Sequence, residues 1–96
     1  MFSWDPQKAI ANFEKHGISF EESATIFTDA LALDWEDLTH ASQEKRYKRL
    51  GASSEGNILL VVYTVRRSKD EKETIRIISA RWASRKERKA YAKPAN

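Results

Sequence analysis

Ninety-six residues, 41% of them hydrophobic, make one domain spanning 1–96 with a single modest core, a size class that buries roughly 60–65% of its unfolded surface. The chain has no cysteine, which excludes disulfide staples, cysteine-based zinc sites and thiol catalysis. The net charge of +3 conceals a division: residues 1–44 carry two basic against nine acidic side chains, a balance of −7, and residues 45–96 stand at +10. One cationic and one anionic surface are expected, and a cationic surface attracts polyanions such as a nucleic-acid backbone.

Met1-Phe2-Ser3-Trp4 has neither the basic nor the apolar region of a secretory signal, so the expected location is the cytoplasm. Asp5-Pro6 then starts a helix, with a carboxylate at the N-cap and proline at the first helical position. Ala9, Ile10 and Phe13 follow at helical spacing, and Gly17 after Lys15-His16 stops it. Ser19 opens a second helix, with Glu22 completing a capping box and Phe20, Ala24 and Phe27 forming its apolar stripe.

From Leu31 the period changes to two. Leu31, Leu33 and Trp35 alternate with polar or small residues as a half-buried strand, and Asp37 to Ser42 reads as a polar loop. Lys45 to Ala52 is a second strand with a strongly basic face, and Ser53 to Asn57 is a hairpin turn. Ile58 to Arg66 is nearly all apolar or β-branched, the pattern of a central strand covered on both faces, and too short to cross a bilayer. After a charged connection, Thr74 to Trp82 is the fourth strand. Strict alternation puts Arg81 with Ser79, Ile77 and Ile75, and Arg76 on the other face. Ser84 and Glu87 form a capping box for a terminal helix to about Tyr91, ended by Pro94. The expected fold is α+β: two N-terminal helices, a four-stranded antiparallel meander and a C-terminal helix.

The two histidines, 24 positions apart, and the scattered carboxylates match no metal-ligand spacing, and neither a phosphate-binding glycine loop nor a nucleophile elbow occurs. No cofactor is expected. The remaining candidates are arginines on strands. Arg66 and Arg81 each end a strand, where a planar guanidinium suits phosphate; Arg66 equally suits an ion pair with Glu73 or another acid. His16 complements the dipole of the first helix or exchanges a proton, and His40 sits in the polar loop. Glu44 with Lys45-Arg46-Tyr47-Lys48-Arg49 combines an acid, a phenol and four cations. That run is either a solvated face or a nucleic-acid surface with Tyr47 as a stacking ring. Trp4 and Trp35 read as core or groove anchors.

Taken together, Trp4-Asp5-Pro6-x-Lys8-Ala9-x-x-Asn12-x-x-Lys15-His16-Gly17-Ile18-Ser19-Phe20-Glu21-Glu22 resembles the opening signature of BrnT-type toxins, and Phe27-x-Asp29 the close of that segment. Glu44-x-Arg46-x-x-x-Leu50-Gly51, Val62-x-Thr64-x-Arg66, Arg76-Ile77-Ile78-Ser79-Ala80-Arg81 and Glu87-Arg88-x-x-Tyr91 are similar to its later motifs. Ala30, where the family often has proline, and Trp82, where a basic residue is common, depart from the pattern; the second bears on one phosphate contact. The resemblance implies a fold related to RelE-type toxins, an RNA substrate, arrest of translation, and a BrnA-like antitoxin that supplies the DNA contact. On this reading RNA is cleaved without a metal by its own 2′-hydroxyl. Arg66 and Arg81 stabilise charge, His16 or His40 moves the proton with Glu44 in reserve, and Lys8, Lys15, Arg46 and Lys48 position the backbone. The competing readings are a non-catalytic RNA- or DNA-binding module and an interaction protein with a basic sheet face.

Overall fold

The structure is a computed structural model that describes residues 1–39 and 44–93. Its elements in chain order are β1 (Phe2–Ser3), α1 (Pro6–His16), α2 (Phe20–Ala24) with a 3-10 turn at Thr25–Thr28, β2 (Leu33–Asp37), β3 (Arg46–Ala52), β4 (Ile58–Arg67), β5 (Glu73–Trp82) and α3 (Arg85–Ala92). The sheet has five strands in the order β1-β5-β4-β3-β2.

The antiparallel meander is present as β2 to β5, but the sheet as a whole is mixed, because β1 adds to β5 in parallel through Phe2–Ile75 and Ser3–Arg76. Two residues are too few to show an alternation, so the sequence pattern misses β1. The first meander strand runs Leu33–Asp37, two residues later than its alternation suggests, since Asp29 holds the preceding turn by accepting the Leu31 N–H at 2.9 Å. The remainder of the expected loop at 40–42 and the helix stop at Pro94 lie outside the described residues.

Local chemistry explains the helices. The Asp5 carboxylate accepts the Gln7 N–H at 2.8 Å, and Gly17 ends α1 at φ 72°, a left-handed conformation that only glycine adopts without strain. Ser19 caps α2 through the Glu22 N–H at 3.0 Å. The Glu22 carboxylate, expected to close a capping box, instead accepts Ser53 Oγ at 2.7 Å and Asn57 Nδ2 at 2.8 Å, tying α2 to the β3–β4 hairpin. At Ser84 and Glu87 the capping box is complete.

Helices α1 and α2 cover one face of the sheet. Ile18, Phe20 and Ile26 pack there on Leu59, Val61, Ile77 and Ala80, with Trp4, Ala9, Ala24 and Phe27 around them. The buried residue of α1 is Asn12, whereas Ile10 and Phe13 are exposed. Asn12 Nδ2 donates to the Ile18 carbonyl at 3.2 Å and Oδ1 accepts the Ala80 N–H at 3.0 Å. The second link matters because β1 reaches only Ile75 and Arg76, so a side-chain amide serves the Ala80 N–H beyond the end of that strand. Gly51 lets the Ile26–Ala32 segment lie against β3: a Cβ there would stand 3.1 Å from Ala32 Cβ and 3.3 Å from Asp29 Oδ2.

On the opposite face α3 covers one end only, with Tyr91 packing over Ile58, Leu60, Leu50 and Ala83. Helix α3 thus covers the first half of the central strand, and Thr64 further along the same face is buried as well, at 1% exposure. No other helix among the described residues lies over the rest of this face.

Candidate functional site

The strand register lays out the open face row by row. Arg81, Leu60, Leu50 and Leu33 form the row next to α3, followed by Ser79, Val62, Lys48 and Trp35. Beyond them Arg76 pairs with Thr64, and Arg46, one step past the Tyr47–Tyr63 pair, lies on the other side of Thr64 opposite Asp37. Arg66 and Thr74 make the last row.

Arg76 joins this face because β5 contains a β-bulge. Val62 pairs with Ser79 and Tyr63 with Ile77, so Ile78 is an extra residue and the alternation shifts by one. The face assignment expected from strict alternation is therefore corrected: Arg76, Ser79 and Arg81 point one way, and Ile75, Ile77, Ala80 and Trp82 point to the helical side.

The cations differ in availability. Arg81 is held by Glu87 in a two-pronged pair, both contacts at 2.8 Å. That hydrogen-bonded pair lowers the Glu87 carboxyl to about 2 and raises Arg81 further. Arg66 Nε lies 3.2 Å from Glu44 Oε2, and Arg67 rather than Arg66 takes Glu73, at 2.9 Å. Arg76 and Lys48 are in no ion pair among the described residues, Arg76 reaching Ser3 Oγ at 3.5 Å, and Arg46 stands opposite Asp37 in the strand register. These three half-buried cations stand on β3 and β5, on either side of β4, with backbones about 10 Å apart across two strand spacings. The floor between them is Val62 and Thr64, whose hydroxyl donates to the Lys45 carbonyl at 2.8 Å.

The candidates read from the sequence are thus split. Arg46, Lys48, Arg66, Arg81 and Glu44 belong to the open face or its end. Arg66 and Arg81, however, are six β4 positions apart by their partners Thr74 and Leu60, about 20 Å along the strand, too far for a shared phosphate. Lys8, Lys15 and His16 lie on α1, across the sheet; the His16 carbonyl accepts the Trp82 indole N–H at 3.0 Å. Trp82, standing where the related pattern is basic, therefore removes no cation from the open face. His40 lies outside the described residues.

The pleat also divides the basic run. Arg46 and Lys48 face the open side, while Tyr47 and Arg49 face the helices. Tyr47 stacks on Tyr63 with centroids 5.6 Å apart. Arg49 sits 5.0 Å over Phe27 and reaches Asp34 at 2.5 Å. Burial, reinforced by Asp34, pushes the Tyr63 phenol well above its ordinary value, so it is a poor proton donor. The groove of about 390 Å³ between α1 and α2, lined by Ile10, Phe13, Phe20, Glu14 and Glu21 among others, contains no cation and lies on the far side from Arg76.

Among the described residues no group of histidines and carboxylates can hold a metal ion, and no helix is long and apolar enough to cross a membrane. The missed functional candidate is Arg76, whose signal in the sequence, an arginine amid β-branched residues, does not reveal its face.

The family model described as "Ribonuclease toxin, BrnT, of type II toxin-antitoxin system" matches residues 4–87. The fold is similar to the crystal structure of the Brucella abortus ribonuclease toxin BrnT, with a TM-score of 0.61 and 24% identity over 88% of this chain and 99% of that one. No curated protein matches.

Proposed function

The chain belongs to the BrnT family of ribonuclease toxins of type II toxin–antitoxin systems, and from that membership we propose that it cuts RNA on the open face of its sheet, without a metal, and so blocks translation until a BrnA-like antitoxin neutralises it. One observation carries the reading: Arg46, Lys48 and Arg76 gather around Val62 and Thr64, with Asp37, opposite Arg46, as the acid in these rows. Three cations clustered around a shared floor suit a phosphate backbone.

The chemistry asks little of the protein. The ribose 2′-oxygen attacks the adjacent phosphorus as its proton passes to a base. The bond to the 5′-oxygen breaks, and that oxygen takes a proton from solvent water as it leaves, giving a 2′,3′-cyclic phosphate and a 5′-hydroxyl. Charge accumulates on the non-bridging oxygens, and Arg76, Arg46 and Lys48 are the groups aimed at it. In this proposal Glu44 accepts the proton, with Arg66 at 3.2 Å steering its carboxylate. Arg81, clamped by Glu87, serves the far end of the strand, and Lys8, Lys15 and His16 play no part in the chemistry.

The test is cleavage of an end-labelled single-stranded RNA by purified protein in EDTA. The expected products carry cyclic phosphate and 5′-hydroxyl ends, and a single 2′-deoxy substitution at the cut position abolishes the cut. Cleavage that survives the 2′-deoxy substitution would rule out this mechanism, and tight binding without cleavage would favour the non-catalytic module.

A further inference from the structure

Trp35 stands on edge strand β2, in the same row of the open face as Lys48 and Val62. It is 41% exposed, and neither its ring nor its indole N–H has a partner among the described residues. Other large rings are engaged: Trp4 against Phe20, Phe2 and Tyr63 against Phe27, Tyr47 against Tyr63, and Trp82 and Tyr91 through hydrogen bonds. Phe13 is also exposed, but beside Glu14 in the groove without cations.

A partly exposed indole on an edge strand invites association, and a ligand stacked on it would cover it. The surrounding charge says which one. Lys48 is Trp35's direct register partner, with Arg46 further along β3 and Arg76 across β4; Asp37, opposite Arg46, is buried and accepts from Thr39, so the exposed ring sits at the rim of a mainly cationic field. An aromatic face flanked by backbone-neutralising cations matches an unpaired nucleotide, whose base stacks while its phosphate meets the cations. A base inside a duplex is already stacked on both sides and has no face to offer.

We propose that Trp35 is a base-stacking subsite, with Lys48 holding the phosphate of the stacked nucleotide, and that it makes the toxin selective for single-stranded RNA. The inference rests on the assignment of RNA to the open face, and it adds the strandedness of the substrate and the subsite that reads it.

The experiment measures binding of a fluorescently labelled 2′-O-methyl oligonucleotide, which has no free 2′-hydroxyl, as a single strand and as a duplex over a salt series. Trp35→Ala should weaken single-strand binding about 5- to 100-fold, leave duplex binding within twofold, and keep the wild-type salt slope, whereas Arg76→Ala should lower that slope by about one. Trp35→Phe, which keeps a π-face, should restore most of the affinity; Trp35→Leu, which keeps apolar bulk and guards against misfolding of the alanine variant, should not. Single-strand affinity unchanged in both Trp35→Ala and Trp35→Leu, while Arg76→Ala still loses it, overturns the subsite and leaves the cationic face standing. Retained RNA affinity with lost association to a protein partner would assign the ring to protein docking, and overturns it too. A wild-type protein that binds neither oligonucleotide removes the RNA reading of the whole face and the subsite with it.

Discussion

Arg76 and Arg81, five positions apart on β5, present their side chains to the same face of the sheet. In an unbroken strand an odd separation would put them on opposite faces. The bulge at Ile78 absorbs one residue and brings Arg76 beside Thr64, across from Arg46. Arg81 meanwhile pairs with Glu87, and Arg76 has no carboxylate partner among the described residues.

That difference predicts unequal mutational effects. Arg76→Ala should slow single-turnover RNA cleavage by about 100-fold, the scale for removing one group aimed at developing negative charge, with thermal stability nearly unchanged. Arg81→Ala should cost less than about tenfold in rate. A larger loss at Arg81 than at Arg76 would move the reacting phosphate toward the α3 end of the face.

Glu44→Gln removes a proton acceptor but keeps the side chain's shape. Cleavage is expected to fall by about 100-fold or more, while affinity for a 2′-O-methyl oligonucleotide stays equal or rises as Arg66 loses its counter-charge. Unaltered cleavage by this variant would exclude Glu44 as the base.

The Arg81–Glu87 pair makes stability depend on pH in a defined direction. Its carboxyl lies at about 2 in the folded protein against an ordinary 4.5. The pair's contribution is therefore complete above pH 4.5 and fades as pH falls toward 2, where the carboxyl is protonated in both states. Arg81 is 41% exposed, so solvent screening limits the contribution to about 1 kcal/mol. Glu87→Gln should lower stability by about that much at pH 7, a difference that shrinks at pH 3 in parallel melts. Glutamine can still close the capping box, so α3 should remain helical by circular dichroism.

Asn12→Ala tests the anchor between α1 and the sheet. Losing the amide leaves the Ala80 N–H and the Ile18 carbonyl without their side-chain partner, and burial makes that costly, about 3 kcal/mol. The melting temperature should drop by on the order of 15 °C. A drop below 3 °C would mean that water replaces the amide.

Much of the architecture was legible in the chain's own chemistry. Asp5-Pro6, Gly17 and Ser84 with Glu87 mark helix ends through interactions confined to a few neighbouring residues, and the β-branched run from Ile58 identifies the central strand by composition alone. The absence of cysteine and the charge division likewise need no coordinates, and the ordered motifs from Trp4 to Tyr91 already pointed to the family. Three things required the tertiary structure. The two-residue strand Phe2–Ser3 exists only because β5 offers an edge to pair with. The bulge at Ile78, which decides where Arg76 points, belongs to the pairing of two strands and leaves no periodic trace in one of them. The availability of each cation depends on acids distant in sequence, Glu44 for Arg66 and Asp34 for Arg49, or on a helix folding back, as Glu87 does onto Arg81. Local interactions can be read from neighbours along the chain; whether a guanidinium is free depends on which carboxylate the fold brings within hydrogen-bond reach, and one dimension does not contain that distance.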